Sequence, residues 1–265
     1  MEQGTEFQYQ QYNQYFCQVA HGLEELAADE LKQLLNHFFT PMTRIIFEQR
    51  GTIDKYVGDM IMAFWGAPVH DPGHRRHAVE AALAMLEQLA AMQAEIRERN
   101  WPAINIGIGI NTGMMNVGDM GSEYRRAYTV IGDAVNLGSR LEGLTKYYGV
   151  GLIVSETTAE GLDDLVLRCL DRVKVKGKNE PVTIYEPVGL SGSVSAELAD
   201  EVEQSNRALD QYFAGSLEEA RSAFQSLHDA WPKRKFYTLY LERIATLQSQ
   251  GIGEDWDGVF EHTTK

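Results

Sequence analysis

The stretch Ile53-Asp54-Lys55-Tyr56-Val57-Gly58-Asp59-Met60-Ile61-Met62-Ala63-Phe64 reads as strand, tight turn, strand. Gly58-Asp59 is the turn, flanked by apolar residues on both sides. A turn there sets the Asp59 carboxylate on a rigid, exposed corner. Hard cations such as Mg²⁺ take carboxylate oxygen, usually from one or two carboxylates plus substrate phosphates. Gly-Asp is also an ordinary turn-former, so the dipeptide alone leaves both readings open.

Outward from the hairpin the periodicity is helical. From Leu23 to about Arg50, Leu31, Leu34, Leu35, Phe38, Met42, Ile45 and Ile46 recur at helix spacing. Pro41 is expected to kink or split that helix. Asp71-Pro72-Gly73 opens a second helix with Ala78, Ala82, Met85, Leu89, Met92 and Ile96 on one face. Ile104 to Ile110 alternates like a half-buried strand, and its glycines suggest close backbone packing. Residues 126–131 read as a strand, Ala134 to Tyr148 as a helix stopped near Gly149, and 150–154 and 173–185 as the last strands. The βαββαβ alternation predicts an α+β fold: a ferredoxin-like core with a mixed sheet and helices on one face.

Three segments are expected. Residues 1–19, rich in Gln and Tyr without a clear period, read as an atypical or disordered N-terminal segment. Residues 20–188 form the core domain. Residues 189–265 form a linker and a helical hairpin, with Ala208, Leu209, Tyr212, Gly215, Ala220, Phe224 and Leu227 at tetratricopeptide-like positions. A single such unit cannot bury its apolar face alone, so it is expected to dock on the core or on a partner.

The 265 residues carry a formal charge of −14, which excludes a general nucleic-acid binder. A polyanionic substrate must then meet a local cluster of cations. Cys17 and Cys169 have no metal-ligand spacing and suggest no disulfide framework, which fits a reducing compartment. No apolar run is long enough to span a bilayer and no signal peptide is visible. The expected location is the cytoplasm, either as a free protein or as the cytoplasmic part of a membrane-bound one with an upstream sensor; no direct membrane contact by this chain is expected. His70, Asp71, His74 and His77 are close in sequence, but Pro72-Gly73 intervenes and the segment opens a helix, where polar residues cap and solvate. Gly113 to Gly118 lacks the Gly-Lys-Ser/Thr ending of a phosphate loop.

A second run carries the remaining polar residues: Tyr128-Thr129-Val130-Ile131-Gly132-Asp133-Ala134-Val135-Asn136-Leu137-Gly138-Ser139-Arg140-Leu141. Asn136 and Arg140 lie four apart on the predicted helix, hence on one face. Lys174, Lys176 and Lys178 alternate in Val173-Lys174-Val175-Lys176-Gly177-Lys178 and share one face if that strand persists. A lone Lys55 or Thr129 on a strand is ordinarily just a solvated position, so neither carries a reading by itself.

Taken together, the two runs resemble the signature segments of the class III nucleotidyl cyclases, at the adenylyl end of that family. The likeness covers about Leu23 to Val188. It implies that Lys55 and Thr129 read adenine; guanylyl members carry an acidic residue at the lysine position. Asn136 then orients the ribose, Arg140 meets charge building on the α-phosphate, and Lys176 is the best match to the family's triphosphate lysine. Asp59 is one of two aspartates that hold two Mg²⁺ (or Mn²⁺) ions. The implied reaction converts ATP to 3′,5′-cyclic AMP and pyrophosphate, at two composite sites of a head-to-tail homodimer. The tail Trp256-Asp257-Gly258-Val259 is similar to the C-terminal extension of some bacterial adenylyl cyclases with an extracellular sensor.

One residue departs from the pattern. The family's first strand ends in apolar-apolar-x-Asp, the other metal ligand. A gapless extension back from Leu31 puts Tyr15 there, and a phenol does not replace a carboxylate. The chain is thus either an adenylate cyclase catalytic domain lacking its first metal aspartate, or a catalytically impaired nucleotide-binding and dimerisation module.

Overall fold

The computed structural model describes residues 8–20, 26–175, 180–253 and 256–262, the main chain alone over 8–20 and at 175. The chain forms two compact units, residues 1–143 and 144–265.

The first unit runs β1 (Gln8–Ala20), α1 (Ala28–Glu48), β2 (Thr52–Val57), β3 (Met60–Trp65), α2 (His74–Glu98), β4 (Asn105–Gly121) and β5 (Arg126–Ile131). Its strands lie in the order β2-β3-β1-β4, each antiparallel to its neighbour, with β5 added antiparallel along the last residues of β4. This is the βαββαβ ferredoxin-like arrangement. The N-terminal segment differs from its compositional reading, because Gln8–Ala20 is a strand held between β3 and β4. Ladder hydrogen bonds are made by the main chain, so pairing on both edges holds a strand whose composition shows no apolar alternation.

α1 is one unbroken helix that contains Pro41. Leu34, Phe38, Met42 and Ile46 bury a stripe four residues apart, and that burial outweighs the one hydrogen bond the proline forgoes. α2 buries Ala78, Ala82, Met85, Leu89, Met92 and Ile96. β4 is not half-buried: Ile106 through Thr112 are all buried. The isoleucines fill one face, and Gly109 lets a helix lie directly on the other. A Cβ at Gly109 would stand 2.2 Å from the Glu142 amide nitrogen and 2.4 Å from the Gly138 carbonyl oxygen. That helix, α3 (Asp133–Tyr148), begins in the first unit and ends in the second.

The second unit contains β6 (Leu152–Ser155), α4 (Glu156–Ala159), β7 (Leu165–Val175), β8 (Val182–Leu190), α5 (Ala196–Phe213), α6 (Leu217–Ala230), α7 (Lys235–Gln250) and β9 (Phe260–His262). The strand order is β6-β8-β7-β9, with β9 parallel to β7, so the sheet is mixed. The appendage is three helices and a returning strand, more than the hairpin read from sequence. The expected boundary at 188–189 falls at the end of β8, inside this unit.

The helices dock on β7 through polar groups as well as apolar ones. Asn206 on α5 accepts from the Cys169 N–H at 2.8 Å and donates to the Leu167 carbonyl at 3.0 Å. Buried Arg168 pairs with Glu186 and, at 3.2 Å, with Glu201, which also takes Arg234 and the Tyr237 hydroxyl. Buried Asp171 accepts from Arg243 at 2.5 Å and from the Tyr148 hydroxyl at 2.7 Å. Burial alone would lower the Arg243 pKa; the Asp171 carboxylate more than offsets it, so the guanidinium stays charged. Burial pushes the Cys169 thiol up to about 12, which makes it a poor nucleophile. Among the described residues no helix is long and apolar enough to cross a membrane.

Candidate active site

The site is built on two hairpins and one helix of the first unit. In the β2–β3 hairpin Val57 pairs with Met60, leaving Gly58-Asp59 as a two-residue turn. Gly58 has φ of +61° while Asp59 does not have positive φ, the pattern of a type II′ turn with glycine first. Asp59 is half-exposed at the corner, less open than the exposed position read from the sequence.

Lys55 and Thr129 come together. The Lys55 Nζ donates to Thr129 Oγ1 at 3.4 Å, joining β2 to β5 across 74 residues of chain. Asp54 completes the group. The Thr129 hydroxyl donates to Asp54 Oδ2 at 2.7 Å, and Lys55 Nζ lies 3.4 Å from Asp54 Oδ1. The Asp54 side chain is 1 % exposed and that of Lys55 46 %, so a buried carboxylate anchors an accessible ammonium and a hydroxyl.

Sequence reasoning missed Asp54. Neighbours on a regular strand point to opposite faces, so Asp54 and Lys55 are not expected to share a partner. In β2 the register slips: Ile53 pairs with Ala63 but Lys55 with Met62, leaving Asp54 as the extra residue of a β-bulge. A bulge re-aims side chains, and here it sends consecutive residues to the same threonine. No local sequence signal marks it.

Asn136 is exposed on the first turns of α3, and Arg140 lies one turn further on. The α3 entrance is fixed by buried Asn111 on β4, whose Nδ2 donates to the Ala134 carbonyl at 2.8 Å. Arg140 Nη1 is buried and has no hydrogen-bond partner among the described residues. Among these residues no hydrogen bond or ion pair joins Asn136 or Arg140 to Lys55, Thr129 or Asp59.

Glu142 on α3 is a further group that the sequence does not single out. Burial, and then the negative charge of Asp59, push its carboxyl up to about 7. Lys176 and Lys178 lie outside the described residues. Lys174 is half-buried on β7, opposite Glu261 of β9. Tyr15 lies inside β1, level with Ala63 and Ile110; the residue level with Met60, next to the Asp59 turn, is Gln18. No residue from Gln8 to Ala20 is acidic.

Asp71, in the histidine-rich segment, has a local task. It accepts from the Gly73 N–H at 3.0 Å and pairs with His77 Nδ1 at 2.7 Å, tying down the start of α2. Among the described residues no group of three or more His, Cys, Asp or Glu is placed to hold a metal ion. Among the described residues, the Asp59 carboxylate suits a hard cation completed by phosphate oxygens.

Comparison with known proteins places the chain in one family. The profile of the family described as adenylate and guanylate cyclase catalytic domain matches residues 11–186. Adenylate cyclase 1 of Rhizobium meliloti is 36% identical over 173 residues, covering 65% of this chain and 26% of that protein. The adenylate cyclase of Anabaena cylindrica is 39% identical over 171 residues, 62% of this chain and 33% of its own length. The chain thus spans about a quarter to a third of these curated relatives. Among solved structures, the adenylyl cyclase CyaB from P. aeruginosa superposes with a TM-score of 0.66 at 33% identity, covering 72% of this chain and 100% of that one. The guanylyl cyclase Cya2 has a TM-score of 0.66 at 29% identity, covering 71% of this chain and 97% of that one.

Proposed function

Because this chain belongs to the adenylate and guanylate cyclase catalytic-domain family, the class III nucleotidyl cyclases, we propose that it takes ATP and forms 3′,5′-cyclic AMP. In this reaction the ribose 3′-oxygen attacks the α-phosphorus, the bond to the β-phosphate oxygen breaks, and pyrophosphate leaves. The observation that carries the adenine assignment is the Lys55–Thr129 pair, held at 3.4 Å on the rigid sheet. Lys55 donates to the ring N1 and Thr129 accepts from the 6-amino group.

Asn136 holds the ribose. The Arg140 guanidinium, with its buried and unpartnered Nη1, faces the charge that grows on the α-phosphate. A fixed cation aimed there lowers the barrier without reorganisation during the reaction. Lys176 takes the triphosphate. Asp59 holds a divalent cation, Mg²⁺ or Mn²⁺. When bound, such an ion neutralises triphosphate charge and lowers the pKa of the attacking hydroxyl. The family's head-to-tail pairing would set Asp59 of one protomer opposite the base readers, Asn136 and Arg140 of a second copy, in a composite site.

A second reading, a catalytically impaired nucleotide-binding and dimerisation module, draws support from β1. Its residue level with the Asp59 turn is Gln18, and its whole length lacks an acid. Cyclic AMP output of the purified chain with ATP and Mn²⁺ separates the two. The proposed activity requires output well above background that Asp59→Ala abolishes. Background output from the chain, with ATP still bound, moves the assignment to the impaired module.

A further inference from the structure

We propose that Asp54 is a positioning residue that sets the choice of adenine over guanine by fixing which way the Thr129 hydroxyl points. The inference rests on the reading of Lys55 and Thr129 as base readers and adds a residue to it.

A threonine hydroxyl has one hydrogen and two lone pairs, and it turns about its C–O bond to suit its neighbours. Left to turn, it would donate to the 6-oxygen of guanine as readily as it accepts from the 6-amino group of adenine. Here it is not left to turn. Its hydrogen is committed to Asp54 Oδ2 at 2.7 Å, and a carboxylate offers acceptors only. The Asp54 side chain is 1 % exposed, so water does not take over the bond, and a charge-assisted hydrogen bond in a dry site is a strong one. Lys55 Nζ donates to one lone pair at 3.4 Å, so a single lone pair remains on Oγ1 for a base. It matches an amino group and repels a carbonyl oxygen.

Lys55 is restrained by the same carboxylate, at 3.4 Å from Oδ1, and presents donors only. The bulge that places Asp54 beside Lys55 therefore arranges one donor and one acceptor in fixed order. The same geometry has a consequence for changing specificity. An acidic residue at position 55 would stand beside a buried carboxylate that had just lost its cation, so a switch toward guanine needs a change at Asp54 as well.

The test measures binding rather than turnover. The full chain displaces a fluorescent ribose-modified ATP analogue with ATP or with GTP, and the readout is the ratio of the two affinities. General destabilisation moves both affinities together and leaves the ratio alone. Asp54→Asn keeps the volume but lets the amide donate to Thr129, freeing its hydroxyl hydrogen. It is expected to lower the ATP-over-GTP ratio by about ten-fold. Thr129→Val lowers the ratio as well, and Asp54→Asn then has no further effect on it. An unchanged ratio in Asp54→Asn overturns the inference while leaving the base readers in place. So does an equal shift when Thr129 is already Val. A parent chain with no preference for ATP overturns the base readers and the inference together.

A probe series keeps the idea falsifiable if Asp54→Asn does not fold. 6-Methoxypurine riboside triphosphate keeps the N1 acceptor but offers oxygen at position 6. N6-methyl-ATP, of equal bulk, keeps an N–H there. The parent chain should bind the methoxy compound about ten-fold more weakly than the methylamino one; equal binding means that the hydroxyl turns, and the inference falls.

Discussion

Gly109→Ala adds one methyl group where β4 runs beneath α3, and the structure fixes what that methyl meets. The new Cβ would lie 2.2 Å from the Glu142 amide nitrogen and 2.4 Å from the Gly138 carbonyl oxygen, both main-chain atoms that no rotamer change relieves. Bringing the shorter contact from 2.2 Å to the 3.0 Å that real Cβ atoms respect moves helix or strand by at least about 0.8 Å. Arg140 sits between the two clashing residues and moves with them. Overpacking of this kind costs ~1–3 kcal/mol of stability, and a displacement near 1 Å at a site costs on the order of 10²-fold in rate. Urea unfolding and nucleotide displacement on the same sample read both effects. The expected result is a lower unfolding midpoint together with ATP affinity reduced about ten-fold or more. Gly143→Ala is the control: nothing lies within 4 Å of its Cβ, so in the helix it is neutral or stabilising by up to ~1 kcal/mol. A Gly109→Ala chain that unfolds at the parent midpoint and binds ATP normally would show that α3 does not rest on that glycine.

Two further outcomes follow from buried charge. Glu142 has a folded pKa of about 7 against an ordinary 4.5, so the folded state holds its proton more tightly than the unfolded one. Its contribution is full below pH 4.5 and is lost as pH rises through 7, at a cost of up to ~3 kcal/mol. Glu142→Gln removes that slope, so urea unfolding at pH 5 and pH 8 should show the variant gaining on the parent by ~1–3 kcal/mol at the higher pH; a difference independent of pH refutes it. Arg243→Met leaves Asp171 buried without its cation and should cost ~3–5 kcal/mol in urea unfolding. Adding Asp171→Leu should recover part of that loss, and no recovery would mean that packing of the arginine stem, not charge, sets the cost.

The legible parts of this molecule are those where side chains carry a local rule. Gly58-Asp59 announces its turn, and the Leu34–Ile46 and Ala78–Ile96 stripes announce their helices, because burial selects residue types at fixed spacing. β1 was not legible: main-chain pairing on both edges holds it, and its glutamines and tyrosines carry no pattern that reports this. The bulge at Asp54 was not legible either, since one slipped residue reverses the face that alternation assigns. The three-helix appendage hides its anchors for a related reason. Arg168, Asp171, Glu201 and Arg243 are buried by tertiary contacts that no local sequence pattern announces. Of the candidate site, Lys55 and Thr129 lie within hydrogen-bond distance and Asp59 sits half-exposed at its turn, while Lys176 falls outside the described residues.

The most direct measurement is the product formed when the purified chain is incubated with equimolar ATP and GTP and Mn²⁺, resolved by chromatography against cyclic nucleotide standards. The account predicts cyclic AMP with matching pyrophosphate, cyclic GMP as a minor product at most, and neither from Asp59→Ala. Cyclic GMP as the main product would contradict the roles given to Lys55, Asp54 and Thr129, and product that persists in Asp59→Ala would contradict the placing of the cation at the turn.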